Sequence, residues 1–303
     1  MIHLPPPVDM TQGLGQASKI CIDEIEAEYM QHADERVRMQ TAQGQLSAQV
    51  EKYFHYSGDP LQLSPSVFPR RDKKTSPKEI GDLFFERYRS GGSTDRVIVS
   101  KIQKSVYCPY CGLRMRRKPH NASHDRDHVV PRSKFPEFSL LHVNLVYCCD
   151  DCNEVKRDHY VGISGQRIFI HPYFDDFLAG SVISAKISVG PGGEPVPSFC
   201  IASGLDPQIE ARVQPHFDFL DLEARYIDEY LTTIVRQVET HKSHCTGSDA
   251  VLKARNFLRE EGGRDLSQRP NDPLALALIA LADGDCLERI FAQSQGEKPI
   301  VMP

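Results

Sequence analysis

Two Cys-x-x-Cys pairs, Cys108/Cys111 and Cys149/Cys152, constrain this chain more than any other feature of its sequence. A single pair says little. Two pairs flanking a short loop supply four thiolates, which complete a tetrahedral shell around zinc. Disulfides would instead require an oxidising compartment, and the N-terminal MIHLPPPVDM has neither a charged n-region nor an apolar h-region to send the chain there. A structural zinc site on Cys108, Cys111, Cys149 and Cys152 is therefore expected, in a chain that stays in the reducing cytoplasm. Cys148 directly precedes Cys149 and offers an alternative ligand one residue out of step. The two-residue gap to Cys152 matches that of the first pair and favours Cys149, with Cys148 a packed thiol.

The residues between the pairs carry the chemistry. Asp127-His128 runs into Val129-Val130-Pro131, where the β-branched pair predicts a short strand with His128 at its start. Asn144-Leu145-Val146-Tyr147 opens a second apolar run leading to Cys149, and the chain continues Cys149-Asp150-Asp151-Cys152-Asn153-Glu154-Val155-Lys156. A lone His in such a loop is more often packed or capping than catalytic, but this order places several chemically distinct residues around it. The order resembles the HNH (ββα-metal) nuclease family, whose pattern is a D-H dipeptide, a central Asn before an apolar run, and C-x-x-C-N-x-x-K on the final helix. The resemblance covers about a fifth of the chain.

Phosphodiester hydrolysis needs a deprotonated water and a cation that neutralises charge growing on the phosphate. The resemblance implies that His128 is the general base and that Asp127 and Asn153 are oxygen ligands of Mg²⁺ or Mn²⁺. It also implies that Asn144 holds the loop that orients His128. Asn153 stands where other family members carry His, and it keeps an oxygen donor. Asp125, in the same Asp-Arg-Asp-His string, is the alternative to Asp127 as ligand. Lys156, one helical turn beyond Cys152, is a candidate phosphate contact. From Val97 to His124 the chain carries Lys101, Lys104, Arg114, Arg116, Arg117 and Lys118 and no carboxylate, and Arg116 and Arg117 are further candidates for the substrate phosphate.

A second resemblance extends further along the chain. DHVVPRSKFPEFS, from Asp127 to Ser139, followed downstream by HPYFD, from His171 to Asp175, is similar to the HNH subunit of Septu-type anti-phage systems. That family implies a defence effector working with an ABC/SMC-like ATPase, in some cases alongside a retron reverse transcriptase and its RNA–DNA product. DNA is the preferred expected substrate. The same site cutting RNA such as tRNA, and a non-catalytic zinc-dependent binding module, remain alternatives, since nothing in the motif reads a 2′-OH.

At 303 residues and 40% apolar content the chain can bury one sizeable core plus a small module. No apolar run reaches membrane-spanning length. The net charge of −5 is the wrong sign for an all-over nucleic-acid binder, so poor substrate binding by the isolated chain, and a partner that supplies substrate, are expected. Residues 18–53 predict a long, charged, Gln-rich helix or helix pair, poorly suited to a deep core and fit either to lie on a partner protein or to stand as a solvated outer helix. Four prolines between Ser57 and Lys78 predict a loop, and Pro77 to Tyr88 a short helix burying Ile80, Leu83, Phe84 and Tyr88. Alternation over Ser181 to Ala202, broken at Gly190-Pro191-Gly192-Gly193, predicts a β-hairpin. Helical periods follow at 220–238, 250–261 and 273–291. The expected fold is α+β and mostly α. It consists of a helical region 1–100, a ββα-metal module 101–175 stapled by zinc, and a hairpin with a helical tail at 176–303.

Overall fold

The computed structural model describes residues 1–5, 33–64, 66–68, 70, 79–82, 102, 104–115, 125–139 and 141–294. The chain is α+β and about half helical, with two small antiparallel sheets among the described residues. It divides into two compact units, one holding residues 3–110 and 114–176, the other residues 1–2, 111–113 and 177–303.

In the first unit, helix α1 (Ala33–His55) buries Leu46, Val50, Tyr53 and Phe54, positions spaced by four, three and one that fall on one stripe of a 3.6-residue helix. The stripe packs with Phe135, Phe138, Leu141, Val143 and Leu145 in a single core. This corrects the expectation of a charged outer helix with no deep contacts: Leu46, Val50 and Tyr53 are fully enclosed. The apolar stripe lies in the last three turns, whereas Ile20, Ile25, Tyr29 and Val37, the apolar positions that mark the helical period in the sequence, lie further towards the N-terminus. The shared core also joins α1 to the region expected to form a separate module from residue 101. Residues 6–32 and most of the predicted 77–88 helix lie outside the described residues.

Gly58 closes α1 with φ +64°, its N–H donating to the Tyr53 carbonyl at 2.8 Å. A Cβ at this position would sit 2.7 Å from Cδ2 of the His171 ring, so only glycine fits both the left-handed backbone and the close approach.

Strand β1 (Asp125–His128) pairs antiparallel with β2 (Leu145–Cys148), setting Asp127 opposite Val146 and His128 opposite Leu145. Helix α2 (Asp150–Lys156) follows directly. His128 thus ends its strand rather than starting one, which corrects the sequence reading. The ladder stops because the N–H and C=O of Val130 are both taken by the Asn144 side chain and Pro131 follows. Beyond it the described residues 129–139 and 141–144 contain 3₁₀ turns at Pro136–Phe138 and His142–Asn144.

In the second unit, β3 (Ile183–Val189) and β4 (Pro195–Ile201) form the predicted hairpin around Gly190–Gly193. Helices α3 (Pro207–Phe219), α4 (Leu222–His244), α5 (Ala250–Gln268), α6 (Pro273–Asp283) and α7 (Cys286–Ser294) complete it. The predicted 273–291 helix is two helices, because the chain is extended at Gly284, with ψ 178°. Asn271 ties this unit together: its Oδ1 accepts from the Val182 and Ile183 amides, and its Nδ2 donates to the Leu178 and Gly180 carbonyls. No described helix is long and apolar enough to cross a membrane.

Candidate functional site

The Sγ atoms of Cys108, Cys111, Cys149 and Cys152 all lie within 4.8 Å of one another. Thiolates on a tetrahedral zinc, at about 2.3 Å from the ion, stand about 3.8 Å apart, so this set fits a metal such as zinc. Cys108 and Cys111 flank a tight turn, while Cys149 caps α2 and Cys152 lies in its first turn. The Cys149 N–H donates to Cys108 Sγ at 3.4 Å. Cys148 is buried in β2 and is not a member of the cluster, which settles the one-residue ambiguity in favour of Cys149.

Beside the helix, a cavity of about 380 Å³ is lined by Arg126, Asp127, His128, Pro131, Arg132, Ser133, Asn153, Arg157 and Asp158. It brings together three residues singled out in the sequence: Asp127 and His128 from the end of β1 and Asn153 from α2. Asp127 is nearly buried, and Oδ2 accepts from the Tyr110 hydroxyl at 2.7 Å and pairs with Lys156 Nζ at 2.9 Å. Among the described residues no hydrogen bond reaches Oδ1, which leaves it as the carboxylate oxygen available for a cation. Tyr110 itself is enclosed, and burial, then the Asp127 charge, raise its phenol pKa well above the usual value.

His128 is also enclosed, its Nε2 lying 3.0 Å from the Ser139 carbonyl. A carbonyl only accepts, so in the neutral ring Nε2 carries the proton and Nδ1 the lone pair. Burial, partly offset by that carbonyl, and then the Arg132, Lys156 and Arg126 charges together lower its pKa from 6.5 to about 3. The ring is therefore neutral at physiological pH.

Asn144 is fully buried and clamps the loop that carries this carbonyl. Its Oδ1 accepts from the Val130 amide at 2.7 Å and the Tyr53 hydroxyl at 3.1 Å, and its Nδ2 donates to the Val130 and Phe138 carbonyls at 3.0 and 3.2 Å. Behind it, Tyr53 Oη lies 2.9 Å from Nε2 of buried His171, whose Nδ1 accepts from the Tyr173 amide at 3.3 Å. With that Nδ1 accepting, His171 Nε2 carries the proton and donates to Tyr53, whose own proton goes to Asn144. Asp175 Oδ2 holds the His171 amide at 2.6 Å and Arg167 Nη2 at 2.9 Å. The string from Arg167 to Asp175 thus builds the floor under the β1–β2 loop.

Lys156 is not placed as a phosphate contact would be. It is fully enclosed, with Nζ on Asp127 and on the His128 carbonyl, so the expectation is corrected. Arg116 and Arg117 lie outside the described residues. The cations that line the cavity are instead Arg126, Arg132 and Arg157. Each is a chain neighbour of a residue or turn already singled out, Asp127, Pro131 or Lys156, and none belongs to the longer basic run upstream.

No protein-family model matches this chain, and no solved structure matches it. It is similar to Protein ea31 of Escherichia phage lambda, 29% identical over 149 residues. That stretch covers 47% of this chain and 47% of the phage protein, so the chain spans about half the length of the relative it matches.

Proposed function

We infer that this chain is a metal-dependent endonuclease hydrolysing phosphodiester bonds, with a structural zinc on Cys108, Cys111, Cys149 and Cys152. The observation that carries the reading is the sharing of one arginine-lined cavity by Asp127, His128 and Asn153. Asp127 Oδ1 and the Asn153 carboxamide are hard oxygen donors suited to Mg²⁺ or Mn²⁺. When bound there, such an ion neutralises charge on the phosphate and assists ionisation of water. His128 Nδ1 takes the proton from the attacking water, held in its tautomer by the Ser139 carbonyl. A phosphate anion drawn into the cavity favours the protonated ring, raising its basicity from the low value set by burial. Arg126, Arg132 and Arg157 attract that anion.

DNA is the proposed substrate. The net charge of −5 supports a chain that relies on a partner to concentrate nucleic acid, and the resemblance to Septu-type subunits supports an ABC/SMC-like ATPase in an anti-phage system. Purified chain, alone and co-expressed with an ABC/SMC-like ATPase of the kind the resemblance implies, is incubated with plasmid, single-stranded DNA and tRNA in Mg²⁺ or Mn²⁺. Cleavage of DNA, abolished by EDTA and by His128→Ala, is the expected result. Cleavage of tRNA alone moves the substrate to RNA, and no cleavage in either preparation overturns the reading.

A further inference from the structure

Lys156 is the residue whose observed position departs furthest from its sequence reading. Its side chain is fully enclosed at the last turn of α2, with Nζ 2.6 Å from the His128 carbonyl and 2.9 Å from Asp127 Oδ2. The Phe169 ring closes over it, 5.4 Å from Nζ to the centroid. A buried ammonium is costly unless its donors are satisfied, and here two adjacent residues of β1 satisfy it.

We propose that Lys156 is a positioning residue that locks the Asp127 carboxylate and the His128 backbone in one working geometry. This rests on the endonuclease reading above and deepens it. With Tyr110 and Lys156 both on Oδ2, the carboxylate cannot swing, and it offers the cavity one oxygen in a fixed direction. The bond to the His128 carbonyl fixes the peptide from which the imidazole hangs, while the Ser139 carbonyl fixes the ring itself. His128 is therefore held at its backbone by α2 and at its ring by the β1–β2 loop. Lys156 touches neither water nor phosphate in this role, because no part of it reaches the surface. Misplacement of reacting groups by about 1 Å costs on the order of 10²-fold in rate, so a pin of this kind is felt in turnover rather than in substrate binding.

Lys156→Met keeps the chain length and removes the charge. On folded protein with unchanged zinc content, kcat for Mn²⁺-dependent cleavage is expected to fall about 10- to 100-fold while KM and its salt dependence stay within about twofold. A raised KM with a reduced salt slope and intact kcat would return Lys156 to phosphate binding and overturn the proposal, as would wild-type turnover. A second readout needs no activity: diethylpyrocarbonate modification followed by peptide mapping. The His128 rate should rise at least about fivefold in Lys156→Met, with exposed His244 as the internal reference; an unchanged ratio overturns the clamp even where the wild type cuts nothing. If Lys156→Met does not fold, Tyr110→Phe removes the other donor from Oδ2 and leaves the ion pair in place. Its kcat should drop severalfold at constant KM, or its His128 modification rate should rise, and a variant unchanged in both overturns the proposal.

Discussion

The hydroxyl of Tyr53 meets the Asn144 carboxamide at 3.1 Å, across 91 positions of chain and in a fully buried setting. The contact ties the C-terminal end of α1 to the loop whose Ser139 carbonyl orients His128. Helix, loop and candidate base are therefore one mechanical unit, although none of the helix's described side chains lines the cavity.

Tyr53→Phe should expose that coupling. It leaves His171 Nε2 facing an aromatic edge and takes one donor from Asn144 Oδ1, while the Val130 amide still satisfies the latter. A buried polar group stripped of its partner costs about 1–3 kcal/mol. Urea unfolding should show a lower midpoint with an unchanged slope, and an unshifted midpoint would remove the network from the stability of this unit.

His128→Ala should lose cleavage by roughly 10²–10⁴-fold, as removal of a positioned base does. Zinc content and the circular dichroism spectrum should match wild type, since the cysteine cluster does not include His128. Near-normal turnover would move the base elsewhere.

Cys108→Ser or Cys152→Ser should unfold the region around α2, because thiolate–zinc binding energy is folding energy. Elemental analysis of wild type should give about one zinc per chain by the four-ligand argument. A Cys108→Ser protein that is metal-free and melts like wild type would contradict the zinc assignment.

Glu137 gives a pH dependence of defined sign. It is buried, with Ser66 Oγ donating to Oε2 at 2.6 Å, no partner for Oε1 among the described residues, and a pKa raised by burial from 4.5 to about 7. Between those two values the unfolded chain has released the proton and the folded chain keeps it, so rising pH favours unfolding. Glu137 thus contributes its full stability below about 4.5, loses it as pH climbs through about 7, and changes little above. Glu137→Gln should therefore stabilise relative to wild type at pH 8 by up to about 3 kcal/mol, with little gain at pH 4.5. Urea midpoints at the two pH values check this, and a pH-independent difference would refute it.

What the sequence disclosed and what it hid follow from what each signal measures. The cysteine spacing was legible because zinc geometry needs few variables, and the β3–β4 hairpin because glycines marked its turn. The stripe of α1 was present as Leu46, Val50, Tyr53 and Phe54, but charged neighbours masked it. Lys156 could not be read correctly at all. Periodicity assigns a residue to a helix face, whereas the burial of its charge depends on Asp127, 29 positions earlier and on another element. The cavity arginines were hidden for a related reason: they are scattered over β1, a turn and the end of α2, and only the fold gathers them.

Gly58 carries one more implication. A methyl group there would lie 2.7 and 2.8 Å from two atoms of the His171 ring and 3.0 Å from Tyr53 Cζ. Both side chains are fully enclosed and have no room to retreat. In a saturation library scored for function, position 58 should therefore be as intolerant as the cavity residues themselves, despite bearing no functional group. A conservation-blind screen would then flag as essential a residue that contributes only a left-handed turn and the space it leaves empty.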